Sequence, residues 1–581
     1  MKTNIIKYTL FAFLFVVISC DDDYLDRSPL SEVSSDVFFQ KASDLELYTN
    51  AFYFMFPEIS IYDGDANSDN IILYSPSDLV RGSRVVPTSA GDAGWNWDDL
   101  RDINFFLANY EKCIDESARK HYSGVAKFFR AYFYFEKVKR FGDVPWYEGV
   151  IEPDDEEALQ KARDSRTLVM DNVLTDIDYA ITNMNNNTSV YTVTKWTALA
   201  LKSRIGLFEG TFRKYHGIEG YEKFLNACVN ASEELMNSGT YNIYSTGNPE
   251  VDYRDLFTAH DAIGEEIILA RQFSGEQSID HNVNYYTITS SYGMPGMPKD
   301  LVNSYLMTDG SRFTDKADYN KIEFTEEVKS RDLRLTQTIR TPGYTRLGTS
   351  QTLPPDLAAT ITGYQLIKYV NETVYDSYDT GINDLPLFRF AEVLLNYAEA
   401  KAELGTLTQN DLDISVNKLR DRVNMPHMSL AEANANPDNF LAAQYVNVGG
   451  SNKGIVLEIR RERRIELFME NFRWYDLMRW KEGQKIVQDF RGMYFPGPGS
   501  YDLENDGDID VVIYTEEPAS KPEGTLFLKL GEDIVLDENN LINPQPEIND
   551  RKFDESKDYL YPLPITELLL NSNLTQNPNW E

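Results

Sequence analysis

The chain has 581 residues, 42% of them hydrophobic, ample material for a large buried core. Its formal net charge of -36 argues against any surface built for nucleic acid or anionic headgroups. With five histidines and three cysteines, neither a zinc or haem centre nor a disulfide framework can organise it.

Lys2 and Lys7 precede an apolar run from Tyr8 to Ile18. That run is too short to cross about 30 Å of hydrocarbon, so residues 1–19 read as a removed signal peptide. Ser19 followed by Cys20 supplies the small residue and cysteine of lipoprotein processing. Cys20 is therefore expected to become the acylated (palmitate-bearing) first residue of a membrane-anchored protein working outside the cytoplasm. An ordinary secretory signal with an incidental Cys20 is the alternative. Asp21, Asp22 and Asp23 open an acidic tether over 20–35. An acidic run behind a lipidated cysteine also resembles the surface-export signal of lipoproteins in Bacteroides-type bacteria. No later segment has the long uncharged apolar run of a membrane-spanning helix.

Helical signals dominate the rest, and the fold class is mainly α with long loops and a few short strands. Val125, Phe128, Phe129, Tyr132 and Phe135 keep helical spacing from Val125 to Val138, before Gly142 and Pro145. Trp196 to Phe208 predicts a second helix, in which Ala198, Ala200 and Gly206 permit close contact with a neighbour. For a third, Asp384 is the expected cap and Pro386 the first turn. Ala391, Leu394, Leu395, Ala398 and Ala402 then form one stripe that Gly405 ends. A fourth is expected from Val456 to Trp480, burying Ile465, Phe468, Phe472 and Tyr475. Such helices resemble tetratricopeptide hairpins without a clean period of about 34 residues, which implies a degenerate helical-repeat scaffold. Cys113 and Cys228 could pair or stay free.

Long polar stretches, Asp63–Gly94, Ser274–Pro298, Thr341–Gly363 and Tyr494–Gly524, are where a rigid helical body would place recognition. Sugar binding needs flat aromatic faces beside hydroxyl-pairing groups. Asn70, Tyr74 and Arg81, then Trp95, Asn96 and Trp97, then Tyr285, Tyr286 and Tyr292 offer both. The alternative for each Trp is packing at a loop–helix junction, and for Trp97 packing is favoured over binding. The run from Asp502 to Asp510 resembles an oxygen-rich calcium loop, with Asp502, Glu504, Asp506, Asp508 and Asp510 as candidate ligands and Gly507 at the sharp turn. Glu504 at the third position and Ile513 at the closing one depart from that pattern. An acidic turn beside the apolar strand Ile509–Tyr514 is the alternative. Glu462, Glu466, Glu470 and Asp476 supply the carboxylates a glycosidase pair needs, but carboxylates among arginines more commonly lock helices together, and Arg389, Glu392 and Glu399 are read in the same way.

Several motifs follow in order along the chain. They are Tyr24-Leu25-Asp26 with Pro29, Ile103-Asn104, Phe129-Arg130-Ala131-Tyr132 with Phe141–Pro145, and Arg331-Asp332-Leu333-Arg334. Arg389–Val393 with Asn396–Ala400 follows, then Arg461–Leu467 with Glu470, Arg473, Asp476, Arg479 and Trp480. Pro562-Leu563-Pro564 and Gln576–Trp580 close the series. In this order they resemble the motifs of the SusD/RagB family of surface nutrient-binding lipoproteins. The resemblance implies one SusD-like glycan-binding domain over 20–581, non-enzymatic and lipid-anchored at the outer-membrane surface. It also implies an oligosaccharide ligand, delivered to a SusC-like TonB-dependent transporter in polysaccharide utilisation. No cofactor is required on this reading, calcium is the one candidate ion, and nucleic acid is excluded as a partner. The alternatives are a peptide-binding subunit of the same transporter class and a surface glycoside hydrolase.

Overall fold

The computed structural model describes residues 38–580. The expectations for the signal peptide, Cys20, the acidic tether and the Tyr24-Leu25-Asp26 motif lie outside the described residues.

Helices α1 (Ala42–Asn50), α2 (Asp98–Asn109), α3 (Glu116–Phe141), α4 (Arg166–Asn183), α5 (Lys195–His216) and α6 (Tyr221–Asn237) come first. The Asp115 carboxylate accepts the Ala118 amide to cap α3, which ends at Gly142 with φ 73°. All five predicted apolar positions of α3 are buried. α3 packs on α4 and α5 on α6, the paired arrangement of a helical-repeat scaffold. Gly206 permits the second pairing: a Cβ there would sit 2.6 Å from both the Phe224 carbonyl and the Cys228 amide. α7 (Phe390–Leu404) then packs on α5 and α6 and carries its expected stripe into the core before Gly405.

Two helix boundaries differ from the sequence expectation. Leu385–Arg389 is not a first helical turn but a strand, β2, pairing antiparallel with β1 (Ile267–Arg271), and α7 starts only at Phe390. Asp384 is no cap either; it gathers the Phe273 amide at 2.9 Å, the Ala262 amide at 2.9 Å and the Tyr191 hydroxyl at 2.7 Å. The span from Val456 to Trp480 is two helices, α8 (Lys453–Glu466) and α9 (Arg473–Arg479). Met469 and Asn471, each with φ 63°, turn the chain between them. The turn lets Arg473 reach Asp69 at 2.6 Å. Ile465 and Phe468 are buried as expected, while Phe472 and Tyr475 are half-buried.

The helices surround one large apolar core, and a second core lies under the long loops and the small sheets. That second region holds β3 (Gly499–Tyr501), β4 (Val511–Tyr514) and β5 (Leu526–Lys529), with β3–β4 antiparallel and β4–β5 parallel. The helix α10 (Ile565–Leu570) lies near the C-terminus. Cys113 and Cys228 are both buried free thiols.

Candidate functional site

The charged residues around α8 and α9 form a buried network. Glu466 takes Arg422 at 2.5 Å, Arg389 at 2.8 Å and Arg334 at 3.0 Å. Arg389 also reaches Glu470 at 2.7 Å and Glu266 at 2.9 Å, and Arg334 reaches Glu462 at 2.6 Å. Arg463 holds Asp476 at 2.8 Å, and Arg204 holds Glu392 at 2.7 Å. The partners come from separate elements, so the network joins the helical core to the loop-bearing core. Burial raises the Glu466 carboxyl, yet Arg422, Arg389 and Arg334 more than offset this and hold it below the usual range. A glycosidase acid must instead hold its proton near working pH and meet solvent. Glu466 does neither, and the other carboxylates of the network are buried away from solvent.

A partly exposed aromatic cluster forms in the second region, with Tyr285 and Tyr292 half-buried and Tyr378 exposed. Tyr285, on the short helix Val283–Ile288, sets its ring perpendicular to Tyr292 and to Tyr378, with centroids 5.7 Å away in each case. Its hydroxyl donates to Ser291 at 3.4 Å. The Tyr292 hydroxyl is pushed up to about 12 by desolvation, then by its hydrogen bond to Tyr378. Tyr378 is 57% exposed and Tyr74 is 68% exposed, large values for rings of this size. The Tyr74 amide donates to the Gly293 carbonyl at 2.8 Å, which sets Tyr74 beside the Tyr292 turn. Gly293, with φ 86°, makes that turn tight.

The supporting frame is rigid. Asn282 and Asp379 exchange bonds, side-chain amide to carboxylate at 2.7 Å and backbone amide to side-chain carbonyl at 2.6 Å. Asn284 donates to the Glu372 carbonyl at 3.2 Å and to Asp376 at 3.0 Å. The loop carrying Tyr378 is thereby pinned to the Tyr285 helix. Beside the cluster opens a cleft of about 520 Å³, lined by Tyr74, Met294, Leu357, Ile361 and the segments 531–535 and 542–548.

Sequence reasoning placed Tyr74, Tyr285 and Tyr292 here but missed Tyr378 and the 531–548 wall. The Tyr375-Asp376-Ser377-Tyr378-Asp379 run carries the same mix of aromatic and hydroxyl-pairing residues, and it was the signal that could have found Tyr378.

The other candidates fall elsewhere. Tyr286 is 3% exposed beneath the cluster, and Asn70, at 2%, donates to Asp65 at 3.0 Å and accepts from Arg464 at 2.8 Å. Both are framework rather than ligand-facing, a correction to the expectation. Arg81 is exposed and pairs with Asp550 at 3.4 Å. Trp95 is corrected likewise: it is 3% exposed, edge-on to Phe141 at 4.8 Å. Trp97 is half-buried between Phe133 and Tyr147, and Asn96 accepts the Asp98 amide at 2.9 Å. The two tryptophans border a separate cleft of about 610 Å³ that shares no lining residue with the tyrosine cleft.

The 502–510 segment is the β3–β4 connection. The Asp502 carboxylate accepts the amides of Asn505 at 2.6 Å and Gly507 at 2.8 Å, and Asp510 accepts that of Leu503 at 2.6 Å. Asp506 accepts the Asp508 amide at 2.8 Å, while Glu504 is half-buried. Among the described residues, no three His, Cys, Asp or Glu side chains are arranged to hold a metal ion.

Comparison with known proteins bears on this geometry. The profile described as "SusD family" matches residues 265–580, and one described as "Starch-binding associating with outer membrane" matches residues 23–207. A SusD-like protein of Formosa agariphila is 25% identical over 529 residues, covering 85% of this chain and 94% of its own. A SusD-like protein of Bacteroides ovatus is 22% identical over 518 residues, covering 83% of each chain. Among solved structures, a SusD-like carbohydrate binding protein from Bacteroides fragilis superposes with a TM-score of 0.69 at 21% identity, covering 93% of this chain and 100% of its own. The architecture is the SusD-like fold.

Proposed function

This chain belongs to the SusD family, and on that premise we propose that it is a non-enzymatic glycan-binding protein of the outer-membrane surface. The observation that carries this reading is the cluster of Tyr285, Tyr292 and Tyr378, joined through the Gly293 turn to Tyr74, which lines the adjoining open cleft. Pyranose rings present apolar faces to such rings, while their hydroxyls pair with the carboxylates and amides alongside. The description of the profile over 23–207 and the carbohydrate binding neighbour from Bacteroides fragilis support the ligand class and the location. The Ser19-Cys20 junction supports a lipid anchor.

The proposed task is capture, followed by delivery to a SusC-like TonB-dependent transporter. The helix α10 supports a docking face for that partner: Leu569 is 79% exposed, Leu570 71% and Ile565 43%. The test is a binding panel of plant, fungal and host oligosaccharides alongside a peptide digest, scored together with product analysis. Binding to a glycan class without cleavage is the expected result. Heat from peptides alone, or release of shorter sugars, would overturn the reading in favour of peptide import or hydrolysis.

A further inference from the structure

The tyrosine cleft has a one-sided charge. Glu532, Asp533 and Glu547 line it, and no lysine, arginine or histidine does. Lys529 pairs with Glu532 at 2.5 Å, and Arg551 donates to the side chain of Gln545 in the lining. Nearby on the aromatic side, Asp376 is paired with Arg346 at 2.5 Å and Asp379 accepts from Asn282 at 2.7 Å. Among the lining residues this leaves the carboxylates of Asp533 and Glu547 unbalanced by a cationic side chain.

That imbalance has a chemical consequence. A sugar hydroxyl can donate to a carboxylate, forming a charge-assisted bond. A uronate or sulfate group has no proton to donate at neutral pH and brings a like charge into the cleft. Resting on the glycan reading above, we propose that this cleft selects uncharged, hydroxyl-donating glycan segments and rejects uronate- or sulfate-bearing ones. The three lining carboxylates lie within a Debye length of any occupant, so the penalty per anionic ring is about tenfold at low salt.

The experiment is calorimetric titration of the soluble chain from Asp21, which lacks the lipid site, with length-matched hexamers. Gluco-, manno-, xylo- and galacto-oligosaccharides stand against oligogalacturonate, oligoguluronate and sulfated galactan oligomers, each in about 20 mM and about 300 mM salt. At least one neutral series should bind, through the site that Tyr292→Ala destroys. No anionic series should come within about tenfold of it at low salt, and the gap should narrow as salt rises. The double variant Glu532→Gln/Glu547→Gln removes two lining carboxylates and should narrow the gap, raising the affinity of the anionic oligomers and lowering that of neutral ones whose hydroxyls donated to those groups. An anionic oligomer that binds as tightly as the best neutral one at low salt overturns the selectivity while leaving the glycan reading intact. Silence from every glycan, or neutral binding indifferent to Tyr292→Ala, overturns both.

Discussion

Glu466→Gln is expected to lower the melting temperature without altering any ligand affinity. Glu466 is fully buried and meets three guanidinium groups, from Arg334, Arg389 and Arg422, at 3.0, 2.8 and 2.5 Å. Glutamine keeps the volume, so no cavity forms, but it removes the negative charge those arginines share. Breaking a buried ion pair by removing one partner costs about 3–5 kcal/mol. At roughly 2.1 cal/mol/K per residue, the unfolding entropy of a chain this long is about 1.2 kcal/mol/K. The melting temperature should therefore fall by about 2.5–4 °C, read by differential scanning calorimetry at neutral pH. Glu326→Gln, which loses only an exposed pairing with Lys329, should shift it by less than about 1 °C. A fall below 1 °C for Glu466→Gln would refute the structural role assigned to the network. So would an unchanged melting temperature accompanied by loss of a hydrolytic activity.

Acid should weaken the fold in two stages. Burial depresses His216 and His281 from the ordinary imidazole value to about 4. A depressed folded value means the unfolded chain takes up the proton first, so their stabilisation is complete above pH 6.5 and is lost between pH 6.5 and 4. Each contributes about 3 kcal/mol across that window, and His216→Gln should flatten the melting-temperature slope there. Glu466 and Glu470 also titrate below their ordinary range, so their contribution is present above about pH 4.5 and falls away only below it. Calcium at about 1 mM should move the melting temperature by less than about 1 °C, because Asp502 and Asp510 already serve their own loop's amides. A rise of several degrees, lost in Asp506→Asn, would make the loop a cation site. Leu569→Asp/Leu570→Asp should abolish co-purification with the transporter barrel and leave glycan affinity unchanged; retained co-purification would place docking elsewhere.

What the sequence made legible was whatever local chemistry decides. The α3 stripe from Val125 to Phe135, the left-handed stops at Gly142 and Gly405, and the small-residue contact at Gly206 are all written within a few turns of chain. The failures have a common cause in pairings between distant segments. Leu385–Arg389 becomes a strand because Ile267–Arg271 supplies its partner, and no periodicity near Pro386 reveals that. The break at Met469–Asn471 has no Gly or Pro to announce it; it is set by Arg473 reaching Asp69. The candidate site divides the same way. Tyr285 and Tyr292 share one polar loop and could be found together, whereas Tyr378 comes from a distant segment that Asn282 and Asn284 hold against their helix. Trp95 and Trp97 offer aromatic faces beside Asn96, but they sit at a helix junction, where Phe141, Phe133 and Tyr147 take their ring faces and edges.

The most direct measurement compares glycan titrations of the native chain, Tyr292→Ala, Tyr378→Ala and Trp97→Ala against the best-binding oligosaccharide of the panel. The tyrosine cluster as binding site predicts that each tyrosine variant loses at least about tenfold in affinity, or about 1.4 kcal/mol, while Trp97→Ala stays within about twofold. Loss confined to Trp97→Ala, with both tyrosine variants unchanged, would move the site to the tryptophan cleft and contradict the account.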